Sequence, residues 1–128
     1  MNDTMVRQLI IAQKNEITEY HVYRKLAKAV KDEHNSGVLK KIAGEELSHY
    51  NFWRKHTGKE VGPNRFQVFK FFLIARVFGV TFGIKLMERA EEQAQIDYGR
   101  IAQSIPEANQ IISDENRHEK ELVELIEE

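Results

Sequence analysis

Hydrophobic residues recur through most of the chain at the three-to-four-residue spacing of an amphipathic helix. The first such stretch follows the capping sequence Asn2-Asp3-Thr4 and runs to about Glu33 without Gly or Pro. A turn at 34–37, with Ser36 as a candidate cap, should lead to a second helix that ends at Thr57, before Gly58. The rows predicted to face the core are Leu9, Glu16, Tyr23 and Val30 in the first helix, and Leu39, Glu46 and Trp53 in the second.

The most apolar segment of the chain runs from Arg65 to about Gly79, after a linker at residues 58–64. We interpret it as a short helix that crosses over a helical bundle. Gly79 and Gly83 permit a break or a close approach of two helices there. Five phenylalanines and the nearby Phe82 are more than one short helix can hide, so part of this surface is expected to be buried in a homodimer. The five are Phe66, Phe69, Phe71, Phe72 and Phe78.

Two further helices are predicted in the last third of the chain. One should run from residue 80 to Ser104. The sequence Ser104-Ile105-Pro106-Glu107 resembles a capping box with proline in the first turn, so the other should run from there nearly to Glu128. Their inward rows are Ile84, Glu91 and Tyr98 in the first, and Ala108, Glu115 and Leu122 beside Ile111, His118 and Leu125 in the second.

A repeated polar pattern divides the chain into two similar halves. In each half a glutamate on one helix precedes a Glu-x-x-His motif on the next: Glu16 before Glu46-Leu47-Ser48-His49, and Glu91 before Glu115-Asn116-Arg117-His118. Each half therefore reads as a helical hairpin. The sequence predicts an all-α fold of one domain, residues 1–128: a four-helix bundle of two hairpins, joined by a crossover that contains a short extra helix.

Composition narrows the classes of function. The 128 residues include 41% hydrophobic residues and carry a formal net charge of −1, so the overall charge gives no case for binding nucleic acid or an anionic membrane. The absence of cysteine excludes disulfides, zinc knuckles, iron–sulfur clusters and thiol nucleophiles. Uninterrupted apolar runs are too short to span a bilayer. No signal peptide is visible, so a cytoplasmic location is expected.

Six ionisable residues occupy positions that should be apolar, and this placement points to a metal site. They are Glu16, Glu46, His49, Glu91, Glu115 and His118. Buried carboxylates that face one another repel unless protons or cations neutralise them. A pair of divalent or trivalent metal ions would do so, and oxygen donors with two imidazoles suit iron or manganese better than copper. A metal-free carboxylate–histidine network is the structural alternative.

Other polar residues have simpler interpretations. No acid precedes His21, His34 or His56 at the motif spacing, so we interpret them as structural, although His56 lies on the inward row. Tyr23 and Tyr98 are either core aromatics or hydroxyl donors to the carboxylates. Four glutamates flank the inward rows and are interpreted as mostly solvated charges: Glu19, Glu45, Glu88 and Glu92.

At these residues the chain resembles the ferritin-like di-iron carboxylate family. The motifs Glu46-Leu47-Ser48-His49 and Asp114 to Lys120 are most similar to rubrerythrin and its erythrin relatives. The segment from Arg76 to Ala90 is similar to the ferritin-like domain found ahead of some membrane-embedded iron transporters, whose membrane part is not expected here. The cysteine-ligated electron-entry domain of rubrerythrin is also not expected, because the chain has no cysteine.

The resemblance implies a site with two iron ions, manganese being the alternative. Glu16 and Glu91 would be terminal carboxylates, Glu46 and Glu115 bridges, and His49 and His118 one imidazole per ion. Rubrerythrin-like sites carry a further glutamate three residues away on the fourth helix, which makes Glu88 an optional ligand; Glu19 is another. The implied activity is reaction with hydrogen peroxide or dioxygen, as a peroxidase with an unknown electron donor or as a ferroxidase. A non-enzymatic iron-binding or sensing module and a metal-free helical interaction domain are the rival interpretations.

Overall fold

The computed structural model describes residues 2–93 and 96–125. Within these ranges the chain has six helices and no β-strand, so the predicted all-α class is confirmed. The helices are α1 (Asp3–Ala29), α2 (Glu33–Thr57), α3 (Arg65–Phe78), α4 (Val80–Glu92), α5 (Tyr98–Ser104) and α6 (Ala108–Val123). Across the same ranges, no helix combines the length and the apolar character that a bilayer crossing requires.

The turn between α1 and α2 comes earlier than predicted. Helix α1 ends at Ala29, and Asp32 caps α2 by accepting a hydrogen bond at Oδ1 from the Asn35 amide at 2.9 Å. Ser36, the predicted cap, lies inside α2, and its hydroxyl donates to the Ala27 carbonyl at 2.6 Å. Aspartate and serine both favour the N-cap position of a helix. Here Asp32 takes that position, and Ser36 joins the start of α2 to the end of α1.

The single helix predicted from residue 80 to Ser104 is wrong, because α4 ends at Glu92 and α5 begins at Tyr98. Asp97 starts α5 by accepting from the Arg100 amide at 2.9 Å. The backbone amide of Asp97 donates to Gln8 Oε1 at 3.2 Å, which ties the break to α1. A contact with another helix therefore favours the break over continuation of the regular pattern.

The predicted capping box at Ser104–Glu107 is also wrong. Ser104 is the last residue of α5, and α6 begins at Ala108 with no side-chain cap. The amides of residues 108–110 donate to the carbonyls of Ile105, Pro106 and Glu107, so a backbone turn already satisfies them. The predicted end of this helix near Glu128 lies outside the described residues.

Two glycines allow α3 and α4 to pack closely, as the sequence suggested. Gly79 separates the helices with φ of 113°, a backbone conformation that other residues rarely adopt. A Cβ added to Gly83 would lie 2.6 Å from Ala75 Cβ, so only glycine permits this contact. The tight pair presents one face to α1 and leaves the other exposed.

The core consists of two apolar clusters with a layer of acids and histidines between them. We call them the upper cluster (Val22, Leu26, Leu39, Ile42, Phe71, Ile84, Met87 and Leu122, with smaller neighbours) and the lower cluster (Met5, Leu9, Ala12, Trp53, Ile101, Ile105, Ala108 and Ile111). Helices α1 and α6 run from the lower cluster to the upper cluster. Helix α2 and the α4–α5 pair run the opposite way, so every one of these helices passes through the polar layer.

Candidate metal centre

Four side chains from three helices meet in the polar layer. Carboxylate oxygens of Glu16, Glu46 and Glu115 and an imidazole nitrogen of His49 all lie within 4.8 Å of one another. His49 Nδ1 lies 3.1 Å from Glu16 Oε2, 3.2 Å from Glu115 Oε1 and 3.5 Å from Glu46 Oε1. This group could hold a metal ion, as the sequence predicted for these four residues.

Helical spacing explains why these groups point inward. Glu16 lies between Leu9 and Tyr23 in the predicted row of α1, and all three side chains are buried. On α2, Glu46 and His49 are one turn apart and lie between buried Ile42 and Trp53. The same periodicity that builds the apolar clusters therefore brings the acids and the imidazole into the layer between them.

His118 and Glu91 extend the centre beyond this group of four. His118 Nδ1 lies 3.1 Å from Glu46 Oε1, and the rings of His49 and His118 are nearly parallel, with centroids 6.1 Å apart. Glu91 on α4 is half-buried, with its Oε2 shielded from solvent. His118 therefore adjoins the group of four through Glu46, which lies between the two imidazoles, and Glu91 lines the same cavity as Glu16 and Glu115.

Several buried oxygens in this layer lack a hydrogen bond of good geometry, although two of them lie 3.1 and 3.2 Å from an imidazole nitrogen. They are both carboxylate oxygens of Glu46, Oε2 of Glu91 and Oε1 of Glu115. A buried polar atom without a partner costs about 1–3 kcal/mol, and more when it is charged. Bound cations would give each of these oxygens a partner, so the donor set fits a metal site.

Burial and mutual repulsion hold protons on most of these carboxylates when no cation is bound. Burial, followed by the negative charge of Glu115, raises the pKa of Glu16 to about 8. Burial and neighbouring carboxylates also raise the pKa values of Glu46 and Glu91 well above the usual range. Metal ions and protons must therefore compete for the same oxygens.

His49 carries a proton in the metal-free centre. Burial opposes the charged imidazolium, but the contacts with Glu115, Glu16 and Glu46 outweigh burial and raise the pKa of His49 above its usual value. The same imidazole keeps the pKa of Glu115 below its usual value in spite of burial. A metal ligand must be a neutral imidazole, so an ion that binds at His49 Nδ1 replaces a proton.

Each imidazole lies beside an acid from the opposite motif, and the pair of His49 and Asp114 is hydrogen-bonded whereas the pair of His118 and Glu45 is in ion-pair contact only. His49 Nε2 lies 2.7 Å from Asp114 Oδ2, and His118 Nε2 lies 3.3 Å from Glu45 Oε1. Glu45 and Asp114 immediately precede Glu46 and Glu115 in the chain. The two motifs therefore exchange supporting acids between α2 and α6, an arrangement that fixes ring orientation at metal sites.

Arg117 links these two acids. Its guanidinium bonds to both carboxylate oxygens of Glu45, to Asp114 Oδ1 at 2.9 Å and to Glu121 Oε1 at 3.0 Å. The hydrogen bond from Arg117 keeps the pKa of Glu45 below its usual value. Burial opposes the ionised Asp114, but hydrogen bonds with His49, Gln110 and Arg117 lower its pKa to about 2.

The interpretation of Glu45 as a solvated charge is therefore wrong, and no role was predicted for Asp114 or Arg117. One signal was present in the sequence, because an acid directly precedes the glutamate of both Glu-x-x-His motifs. Glu19, also interpreted as a flanking charge but kept as an optional ligand, is buried at 6% exposure. Burial and the carboxylates of Glu46 and Glu115 raise the pKa of Glu19 well above its usual value.

Arg117→Ala is expected to lower the affinity for Fe(II) by about 10–100-fold, the usual effect of removing a group that orients metal ligands. Competition with a coloured chelator under anaerobic conditions measures this affinity. Arg117→Lys should recover only part of the loss, because one ammonium cannot reproduce the forked contacts. Arg54→Ala is the matched control, since Arg54 pairs only with exposed Glu60 within the described residues. Equal affinities in the Arg117 and Arg54 variants would contradict the assignment.

An open cavity of about 390 Å³ leads to the centre between α1, α4 and α6, beside the α4–α5 break. Its walls include Glu16, Glu91 and Glu115 together with Glu19, Glu88 and Tyr98. Burial, with repulsion from Glu119 and Glu115, raises the pKa of Glu88 to about 7. Small molecules and protons can therefore reach the carboxylates by this route.

The remaining candidates lie outside the group of ligands. Tyr23 is buried and Tyr98 is half-buried, and neither hydroxyl donates a hydrogen bond to a carboxylate in the described parts of the chain. His56 Nδ1 lies 3.1 Å from the Phe52 carbonyl of its own helix. His34 is exposed, and His21 lies at a separate cavity on the other side of α1 from the carboxylate layer.

The case for a metal centre is therefore made from the geometry alone. Two Glu-x-x-His motifs are in contact, two further glutamates lie nearby, and an acid adjoins each imidazole. A scan against protein-family models, a search of curated proteins and a search of solved structures each found no match to this chain.

Proposed function

We propose that this chain is a di-iron carboxylate protein of the rubrerythrin and erythrin branch, which reacts with hydrogen peroxide or dioxygen. The observation that carries the proposal is the contact between the two Glu-x-x-His motifs, each with its imidazole supported by an acid from the other. In the corresponding fold, α1–α2 and α4/α5–α6 are the two hairpins of a ferritin-like four-helix bundle. Helix α3 belongs to the crossover between them.

The residues divide between two ions in a symmetric way. Glu16 and His49 would serve the first ion, and Glu91 and His118 the second. Glu46 would be shared, which agrees with its contacts to both imidazoles. Glu115 would be the second shared carboxylate, with one oxygen 3.2 Å from His49 Nδ1. Glu19 and Glu88 lie at the same cavity and remain optional ligands.

Two ferrous ions held in this way would supply the two electrons that reduce one hydrogen peroxide molecule, with two protons, to two water molecules. The protein positions the carboxylates and imidazoles and excludes water from Glu46, which is fully buried. Glu88 lines the cavity, and because its pKa is about 7 its carboxyl exchanges protons with solvent at neutral pH.

Electrons must reach the centre from outside the chain. The chain has no cysteine and so no rubredoxin-type or iron–sulfur relay of its own. A separate reductant would make the protein a peroxidase. If Fe(II) is itself the substrate, the protein is a ferroxidase that takes up and oxidises successive ions.

The decisive experiment mixes anaerobic protein, loaded with two Fe(II) per chain, with hydrogen peroxide or dioxygen in a stopped-flow instrument. Near-ultraviolet absorption of ferric carboxylate iron is expected with peroxide and also with dioxygen. Continued oxidation of excess Fe(II) would identify a ferroxidase. Turnover that requires an added reductant would identify a peroxidase. Metal-free protein is the control. Stable iron binding without reaction towards either oxidant would favour a binding or sensing role instead.

A further inference from the structure

A second surface of the molecule, remote from the acids in the cavity, exposes large apolar side chains. Six lie on α3 and the start of α4, each about half exposed or more: Phe66, Phe69, Leu73, Val77, Phe78 and Phe82. The first four recur at helical spacing and form one stripe along α3, while Val68, Phe71 and Ala75 on the opposite side are buried. The rings of Phe78 and Phe82, 5.9 Å apart, continue the stripe past Gly79. We call this surface the α3 face.

The chain segment that forms the α3 face contains basic residues and no acidic residue. Of the 19 basic and 20 acidic residues of the chain, four basic and no acidic residues fall within 61–87: Arg65, Lys70, Arg76 and Lys85. All four are exposed. By helical spacing, Lys70 lies on one side of the stripe and Arg65 and Arg76 on the other. A near-neutral chain therefore concentrates positive charge around its most apolar surface.

A cavity of about 200 Å³ at the edge of the stripe adds basic groups from α1. Its lining consists of His21, Lys25, Pro63, Arg65, Val68 and Phe69. Among the residues that the structure describes, no carboxylate lies within ion-pair distance of Lys25 or Arg65. Burial lowers the pKa of His21, and the nearby charges of Arg24, Arg65 and Lys25 lower it further.

We propose that the α3 face docks on the surface of an anionic phospholipid bilayer. Helix α3, about 21 Å long for its 14 residues, lies in the plane of the surface with its stripe in the boundary between headgroups and acyl chains. Lys70 and Arg65 reach the headgroup phosphates on either side of the stripe. The cavity at Lys25 and Arg65 receives one lipid phosphate.

The charge around the stripe favours this occupant over a second copy of the chain. A two-fold dimer would press the same patch against itself and bring Arg65 and Lys70 of both copies into one interface. The 61–87 segment offers no acidic residue to compensate. The homodimer expected from the phenylalanines alone therefore meets like-charge repulsion that an anionic bilayer does not have.

The test is co-sedimentation with vesicles of phosphatidylcholine alone or of phosphatidylcholine with phosphatidylglycerol. Binding is expected only to the anionic vesicles, and it should weaken as salt increases. Arg65→Glu/Lys70→Glu should reduce partitioning by about 30-fold or more, because each basic residue near an anionic surface contributes roughly fivefold and the new glutamates are repelled. Phe66→Ser/Phe69→Ser should abolish binding. Both pairs are exposed, so circular dichroism should report unchanged folding.

Matched controls introduce substitutions of the same kind on helices outside the α3 face. Lys40→Glu/Lys55→Glu on α2 and Val123→Ser on α6 alter exposed residues outside the face and should bind as the unchanged chain does. Metal-free and iron-loaded protein should behave alike, so the result is independent of the proposed iron chemistry. No binding to anionic vesicles, or equal binding by both double variants and the controls, would overturn the proposal. So would a dimer in sedimentation velocity that Phe66→Ser/Phe69→Ser dissociates, because the face would then join two copies.

Discussion

His49→Ala is expected to hold at most one iron ion per chain, whereas the unchanged chain is expected to hold two. His49 Nδ1 lies between Glu16, Glu115 and Glu46, at 3.1 to 3.5 Å, so its removal takes the only imidazole from one side of the centre. His118→Ala should have the same effect on the other side. Loss of a direct ligand should weaken binding by more than the 10–100-fold of a supporting group. Elemental analysis and near-ultraviolet absorption after aerobic iron loading measure the result.

Two histidines outside the centre provide controls for this prediction. His34→Ala changes an exposed residue, and His56→Ala changes a half-buried one whose ring contacts Phe52 of the same helix. Both variants should keep two iron ions. If the unchanged protein stays metal-free and equally stable in the presence of iron, the metal assignment is wrong. Equal iron loss in the His56 and His49 variants would instead indicate general damage to the fold.

The metal-free protein is expected to lose stability as the pH rises from about 5 to about 8. Glu16 has a folded-state pKa of about 8 against an ordinary 4.5, so the folded protein binds more protons than the unfolded chain in this interval. The raised pKa values of Glu88 and His49 act in the same direction. The stabilising contribution is complete below the unfolded pKa and disappears as the pH passes the folded pKa. Glu16 alone accounts for on the order of 3–5 kcal/mol.

Asp114 limits the stability of the metal-free protein at the acidic end of the pH range. Its pKa is lowered to about 2, so its contribution is complete above its ordinary value of 3.8 and is lost as the pH falls towards 2. Stability of the metal-free protein should therefore peak at mildly acidic pH. Urea unfolding followed by circular dichroism across this range measures the curve.

Glu16→Gln isolates the cause of the alkaline loss. The amide cannot ionise, so this variant should be the more stable protein at pH 8 and gain little at pH 5. Glu60→Gln, which changes an exposed glutamate paired with Arg54, should follow the unchanged curve. With metal bound, stability should instead rise with pH, because ligand deprotonation favours binding. A metal-free protein whose stability is flat or rises between pH 5 and pH 8 would contradict the pKa assignments.

Single-helix periodicity was enough to predict several of the side chains that enter the centre. Glu16, Glu46 and His118 take the places of core residues in their rows, and each is buried. Local capping chemistry also placed correctly the start of α1 at Asn2 and the end of α2 at Gly58. These features depend on neighbours within one helix, which the sequence displays directly.

Features that depend on contacts between helices were missed. The break before α5 is tied to α1 by the hydrogen bond between Asp97 and Gln8, and the row from Ile84 to Tyr98 gave no sign of it. The supporting roles of Glu45 and Asp114 appear only when α2 faces α6. The overall charge of −1 also concealed the segment 61–87, in which every charged residue is basic. A net charge summed over the chain does not show where the charges lie.

The exchange of acids between α2 and α6 makes the two halves of the centre mechanically dependent. An ion that fixes the His49 ring would also fix Asp114 and, through Arg117, the position of Glu45 beside His118. Binding of the first ion would therefore order the side chains that the second ion needs, so the second ion would bind more tightly. Titration with Fe(II) should then be cooperative, with few chains holding a single ion. A shift of α2 against α6 by one helical turn would abolish binding of both ions together.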